Sequence, residues 1–540
     1  MSDLEEKLLE GEVAENSEVE EEQIPEEEFS SEPDETSKDV AELRKNEIAA
    51  ERKKKKNLYR FLGVLMCFLG AMDFVTSFAE KSAIIRYSED DYLIYKICRN
   101  IMGWFTALFS SFNSGVLNLI SVRQTSALNS ADKLSAFQEI GQVFQVGIGL
   151  SVLFGVLSSA ITLSFLRGFF SFFRHKEYYS RGRHYMYLRA PLLLIEFINS
   201  TMSGSLTGLL RIIPLFVIVT IETVGFISLV FILTSQMDDT LMAVGIANST
   251  FDVLVTILFL IYLFRPKMRK LYGITNFKGS KRGIIKITTS TFLLLANNII
   301  DVTKDTLGTI FMASISKRAL IGSEAVDGSF DFLLSLGTFI SMIANIVGTR
   351  IAVAKDYNRY IKLLKTLGRM LLGFFVVSYI ILFAAGLKDV SIKSLSNKGT
   401  ERDQVTEYAN KIWVLALIHF PFKLILSTLT MLLINFEKYF IIAISSLAFS
   451  VALWLPVTLI NVKVYHTKLF GIKLAGFIFD IAQILFFAFL LFFRLIPNLK
   501  KQDKGSIELK LQNQQLEKEG FQINKNDEDE DVSESIESSD

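Results

Sequence analysis

Only two cysteines occur in 540 residues, Cys67 and Cys98, each in an apolar stretch. A disulfide framework and a thiolate metal site are thereby excluded. The four histidines, at 175, 184, 419 and 466, have no metal-ligand spacing. No glycine-rich loop ending in Lys-Ser or Lys-Thr is present, which argues against ATP hydrolysis within this chain. No bound cofactor is implied. The first apolar run begins only near residue 57, behind a long acidic tail, which is unlike a cleaved secretory signal. The first helix is therefore expected to stay in place as a signal anchor.

What the sequence has in abundance is apolar surface. Half of the residues are hydrophobic, 46 are Phe, and they gather into runs near the ~20 residues needed to cross a hydrocarbon core. This pattern reads as an integral, all-α membrane protein. The formal net charge of zero conceals a segregation, with acidic residues in the tails and Lys and Arg in certain loops. Residues 1–56 are too polar to bury a core and are expected to form a disordered cytoplasmic tail. The run Lys53-Lys54-Lys55-Lys56 directly before the first helix places the amino terminus in the cytoplasm.

Helices are expected at roughly 58–79, 92–121, 137–166, 185–210, 212–235 and 242–264, and again at 287–314, 326–353, 366–387, 405–434, 439–462 and 469–494. After six spans the chain is back in the cytoplasm. The segment from Arg265 to Lys286 agrees, because it carries eight Lys or Arg residues and no carboxylate. The basic loop 167–183 opposes this topology, but the central bias is stronger. The expected organisation is thus a first lobe at 57–270, a basic linker at 271–286, a second lobe at 287–498 and a disordered cytoplasmic tail at 499–540.

The two lobes repeat each other. Asp73 and Asp301 are 228 residues apart, Arg123 and Arg350 227, Pro191 and Pro421 230, Phe251-Asp252 and Phe479-Asp480 228, and Pro266 and Pro497 231. Pro214 and Pro456 stand 242 apart and do not join the series. Five ordered matches imply a duplicated unit. Because each unit holds an even number of helices, the repeats are parallel, related by an axis along the membrane normal, with a central cavity between them.

Charges inside a bilayer are costly, at least ~2.5–3.5 kcal/mol each on insertion scales, so those present should face protein or a wet cavity. Asp301, Lys304 and Asp305 share one face of the predicted seventh helix, beside Asn297 and Asn298. Lys304 can neutralise one carboxylate and leave the other near a titratable poise. An ion-paired structural cluster near a helix end also fits. Asp73 has no basic residue within a helical turn, and Glu222 lies inside the fifth helix. Each is either an ion-coupling group or a hydrogen-bonded helix contact. Glu196 lies seven residues after Arg189, a spacing that allows a pair. The repeated Asp252 and Asp480 read as helix packing, His419 reads as structural, and the paired prolines should bend their helices and free a carbonyl each.

The stretch YMYLRAPLLLIEFINSTMSGSLTG, from Tyr185 to Gly208, and GSEAVDGSFDFLLSLGTFISMIANIVGTRIAVA, from Gly322 to Ala354, resemble the fourth and eighth helices of the multidrug and toxic compound extrusion (MATE) family. The resemblance covers both halves, about residues 57–498. It implies twelve transmembrane helices in two six-helix lobes forming a V, and cation-driven exchange of organic solutes. It also implies that Asp73 falls at a first-helix coupling aspartate, and Asp301 or Asp305 on the helix with the acidic residue of the second lobe. The chain departs from the family's Gly-Ala-Gly type turns at Val122-Arg123-Gln124 and Thr349-Arg350-Ile351.

The expected function is a secondary antiporter exporting organic solutes or xenobiotics against H+ or Na+, acting as a monomer in a plasma membrane or endomembrane. Asp73, Glu222, Asn298, Asp301, Lys304 and Asp305 are the candidate ion or substrate groups. A flippase for a lipid-linked precursor shares the architecture, but would line its cavity with cations, and carboxylates outnumber cations among the buried charges. A major-facilitator transporter would carry a Gly and Arg-rich loop after its second helix, which Ser121 to Lys133 does not supply. An enzyme would need a convergent catalytic set, and none is specific here. A receptor would need no buried carboxylates at equivalent places in two repeats. Basic residues near the membrane suit lipid headgroups better than nucleic acid.

Overall fold

A computed structural model describes residues 63–85, 89–129, 133–172, 178–209, 211–273, 281–395, 400–463 and 468–503. The tail at 1–56 with its tetralysine at 53–56, residues 504–540 and the centre of the basic linker lie outside these residues, while 499–503, expected to be disordered, continue the last helix. Among the described residues the chain is helical throughout, with no strand. In the first half, α1 spans Gly63–Ile85, α2 Glu89–Asn129 and α3 Lys133–Phe172. Next, α4 covers 179–208, with a 3-10 turn at Ala190–Leu192; α5 is Ile212–Gln236, α6 Thr240–Leu263 and the short α7 Pro266–Tyr272. The second half follows with α8 Lys281–Ile315, α9 Lys317–Val353, α10 Tyr357–Ala384, the short α11 Leu387–Ser394 and α12 Thr400–Ile434. Finally, α13 covers 439–463 and α14 468–503.

Ten of these helices are long and apolar enough to cross a membrane. The chain is therefore a multi-pass membrane protein. The two long helices outside that set are α4, interrupted by its 3-10 turn, and α8, which carries Asp301, Lys304 and Asp305. Several helices outrun the apolar segments that reveal them in the sequence. Helix α1 continues to 85 rather than 79, α2 starts at 89 rather than 92, and α9 starts at 317 rather than 326. The extra turns are polar, so hydropathy does not register them, and caps define the true starts. Ser316 accepts from Ala319 N at 2.9 Å to open α9, and Asp356 accepts from Arg359 N at 2.8 Å to open α10.

The apolar packing divides along the chain. One apolar core lies wholly within 112–272 and another within 294–499. A third and larger core is shared, joining Tyr92, Ile94 and Phe197 of the first half to Phe330, Ile412 and Phe420 of the second. Helix α2 is the main bridge, packing on α3 and α4 in its own half and on α8 and α9 in the other. The approach of α1 to α9 depends on Gly70, where a Cβ would stand 2.0 Å from the carbonyl oxygen of Ser335. Gly70→Ala should push these helices apart and lower stability by about 1–3 kcal/mol. The check is a drop in melting temperature of the detergent-solubilised protein; an unchanged melt would rule out this close approach.

The paired prolines behave differently. At Pro191 the α-helix gives way to the 3-10 turn, while at Pro421 the helix continues. A proline releases the carbonyl four residues before it. For Pro421 that is Leu417, whose oxygen accepts a hydrogen bond from the Tyr379 hydroxyl at 2.8 Å. A π-helical turn at Ser450–Trp454 interrupts α13 and sets Trp454 against Ala475 and Phe479.

Candidate substrate and ion site

A cavity of about 710 Å³ lies between the halves. The first half contributes Lys81 from α1 and Lys96 and Arg99 from α2. The second contributes Asn298, Asp301, Lys304 and Asp305 from α8, Glu324, Asp327 and Asp331 from α9, His419 and Lys423 from α12, and Lys473 and Asp480 from α14. Six cations thus face six carboxylates. The acidic excess expected from the sequence is absent from this wall, because Lys81, Lys96, Arg99 and Lys473 lie near helix ends and read there as headgroup or loop charges.

Most of these charges are matched. Glu324 receives Lys81 at 2.9 Å and also Lys96, so one carboxylate of the second half holds two lysines of the first. Lys473 meets Asp327 at 2.5 Å. Lys304 meets Asp301 at 2.7 Å, the neutralised carboxylate that the helical spacing anticipates. The same ammonium sits 3.4 Å from the ring centroid of Phe479, a cation–π contact. Asp305, the other carboxylate of that trio, opens onto the cavity. Lys423 stands within the field of Asp327, Asp331, Asp480 and Asp305 without a direct salt bridge among the described residues.

Of the other sequence candidates, Asn298 donates to Ser111 Oγ at 2.8 Å and so ties α8 to α2 as well as lining the cavity. Asp73 lines a second cavity of about 300 Å³, which shares Lys81, Arg99, Glu324 and Asp331 with the first. Glu222 is half-buried on α5, within electrostatic reach of Asp73 and Asp252. The structure therefore gathers Asn298, Asp301, Lys304 and Asp305 on one wall, sets Asp73 in an adjoining chamber, and holds Glu222 behind Asp73. Sequence reading missed Lys81, Lys96, Arg99, Glu324, Asp327 and Lys473. Their signal is helical spacing: Glu324, Asp327 and Asp331 on α9, and Lys473 and Asp480 on α14, fall at intervals of three, four and seven.

The Phe-Asp repeats find equivalent partners. Arg189, two residues before Pro191, bonds Asp252 at 2.6 Å, and His419, two residues before Pro421, bonds Asp480 at 2.7 Å. Arg189 also takes Glu196 at 2.5 Å, the pair allowed by their seven-residue spacing. The two halves are tied beyond the cavity as well, at the end where α2 leads into α3. Asn118 bonds Tyr439, Thr349 donates to Asn118 at 3.1 Å and to Asn435 at 2.9 Å, and Arg350 donates to Gln124 at 2.8 Å.

No protein-family model matches the sequence, and no curated protein matches it significantly. Solved structures match its fold. An outward-facing multidrug resistance MATE family transporter of the MOP superfamily superposes with a TM-score of 0.68 at 13% identity, covering 82% of this chain and 95% of that one. MATE in complex with MaL6 gives 0.68 at 13% identity, covering 82% and 96%. A MOP superfamily transporter from Pyrococcus furiosus, whose reverse pocket polarity suggests a different function, gives 0.65 at 14% identity, covering 81% and 95%. At these identities the likeness is one of fold: the chain is a multi-pass membrane protein with the MATE transporter fold.

Proposed function

We propose that this protein is a secondary active antiporter that exports polar organic solutes in exchange for H+ or Na+. Its two six-helix lobes, 57–270 and 287–498, set as a V, would rock about the central cavity, with both tails in the cytoplasm. One observation carries this reading. The chamber is walled by ionisable side chains from both halves, so relative motion of the halves must remake the Lys81/Lys96–Glu324 contact and change access to whatever the chamber holds. Asp305, with Asp301 and Lys304 beside it, supplies the exchangeable carboxylate on one side of the divide, and Asp73, backed by Glu222, supplies it on the other. Balanced charge favours a solute with polar, ionised groups over an apolar drug.

A second reading, translocation of a lipid-linked anionic precursor, draws on the six cations of the wall. Five of them are already held by carboxylates, namely Lys81, Lys96, Lys304 and Lys473 on the wall's own acids and Arg99 on Glu80. That leaves little free positive charge for a pyrophosphate. Exchange assays separate the two. Asp73→Asn and Asp301→Asn should each slow gradient-driven solute exchange in vesicles while leaving folded protein in the membrane. Full rates in both variants would remove these two carboxylates from coupling.

A further inference from the structure

Two pairs stand at equivalent places in the duplicated halves, and they differ in one respect. Arg189–Asp252 and His419–Asp480 each join the residue two before a repeated proline to the aspartate of a repeated Phe-Asp. Arginine stays charged at any pH a cell reaches, whereas imidazole gains and loses a proton near neutrality. The first-half pair is thus fixed in charge. It is further locked by Glu196, whose counterpart 230 residues on is Leu426. Among the described residues the second-half pair has no such third member, and it faces the cavity.

We propose that His419–Asp480 is a proton-loading site of the second half beside Asp305, and hence that H+ is the ion exchanged. This rests on the antiporter reading above and narrows it. Loading adds one proton to neutral imidazole, giving imidazolium against carboxylate, the charge state that Arg189–Asp252 holds permanently. Unloading leaves the Asp480 carboxylate facing Lys423 on its partner helix α12 and Lys473 on α14. The remaining charges presented to this region are Asp301, Lys304 and Asp305 from α8, and Glu324, Asp327 and Asp331 from α9. The ring packs edge-on against Phe477, with centroids 5.4 Å apart. Gly476 leaves space at its Cε1, since a Cβ there would stand 3.9 Å away. Cycling the pair changes the net charge of the second-half wall by one, and with it the field met by Lys81, Lys96 and Arg99 of the first half.

The test has two arms. In full-length protein in lipid, labelled with 13C at histidine Cε1, the resonance lost in His419→Gln should shift between pH 8 and pH 5. A resonance unmoved across that range overturns the proposal, whatever the transport assay returns. In vesicles, His419→Arg, which copies the first-half pair, should keep the wild-type melting temperature but lose the pH dependence of exchange, by about tenfold between the two ends of that range. Retention of the wild-type pH profile also overturns it. Absence of exchange in the wild type would instead defeat the antiporter reading, and the histidine resonance would still decide whether this site takes a proton.

Discussion

Arg189→Met is expected to be the most destabilising single substitution in the first half. The guanidinium bonds Asp252 at 2.6 Å and Glu196 at 2.5 Å, and all three side chains are less than a fifth exposed. Removing the cation strands two carboxylates in one low-dielectric pocket, joining α4 to α6 through repulsion where attraction had been. Breaking a buried ion pair by deleting one partner costs about 3–5 kcal/mol, and here two partners are orphaned. The measurement is the unfolding midpoint in denaturant of detergent-solubilised protein. Adding Glu196→Gln and Asp252→Asn to the same chain should restore most of the loss, because neutral amides need no counter-charge. If the single variant melts like the wild type, the triad does not hold the helices together.

Asp305→Asn should have the largest effect on transport. Asp305 is open to the cavity, and its field includes Lys423, Lys96, Lys473 and Asp301. An amide of the same shape keeps the packing but leaves the wall with six cations against five carboxylates. A cationic counter-ion then meets a net positive chamber. Gradient-driven exchange should fall at least about tenfold, equivalent to about 1.4 kcal/mol, with little change in melting temperature. Wild-type exchange in this variant would show that Asp305 carries no part of the coupling.

Sequence alone reveals the all-helical, multi-pass character of the chain, and the reason is physical. An apolar run of bilayer length has few alternatives to a helix, so the long segments fall where hydropathy places them. The proposed duplication rests on costly intramembrane residues that recur at one spacing. Helix ends are less legible, since polar turns beyond the hydrocarbon carry no hydropathic signal. That error concealed Lys81 and Glu324, which fall just outside the predicted first and eighth helices yet meet across the two halves at 2.9 Å. The Lys304–Asp301 bond was within reach because both groups lie on one helix three residues apart. His419–Asp480 was not, because 61 residues separate its members and only packing of α12 on α14 joins them. The same holds for Asp252, whose partner Arg189 comes from another helix.

The most direct measurement is exchange by the purified full-length protein in sealed vesicles, with an H+ or Na+ gradient imposed and polar zwitterionic, anionic and cationic organic solutes supplied in turn. A two-lobe antiporter predicts uptake against the solute gradient that collapses when the ion gradient is dissipated. Solute movement indifferent to both gradients, or none for any class while the protein remains folded, would contradict it.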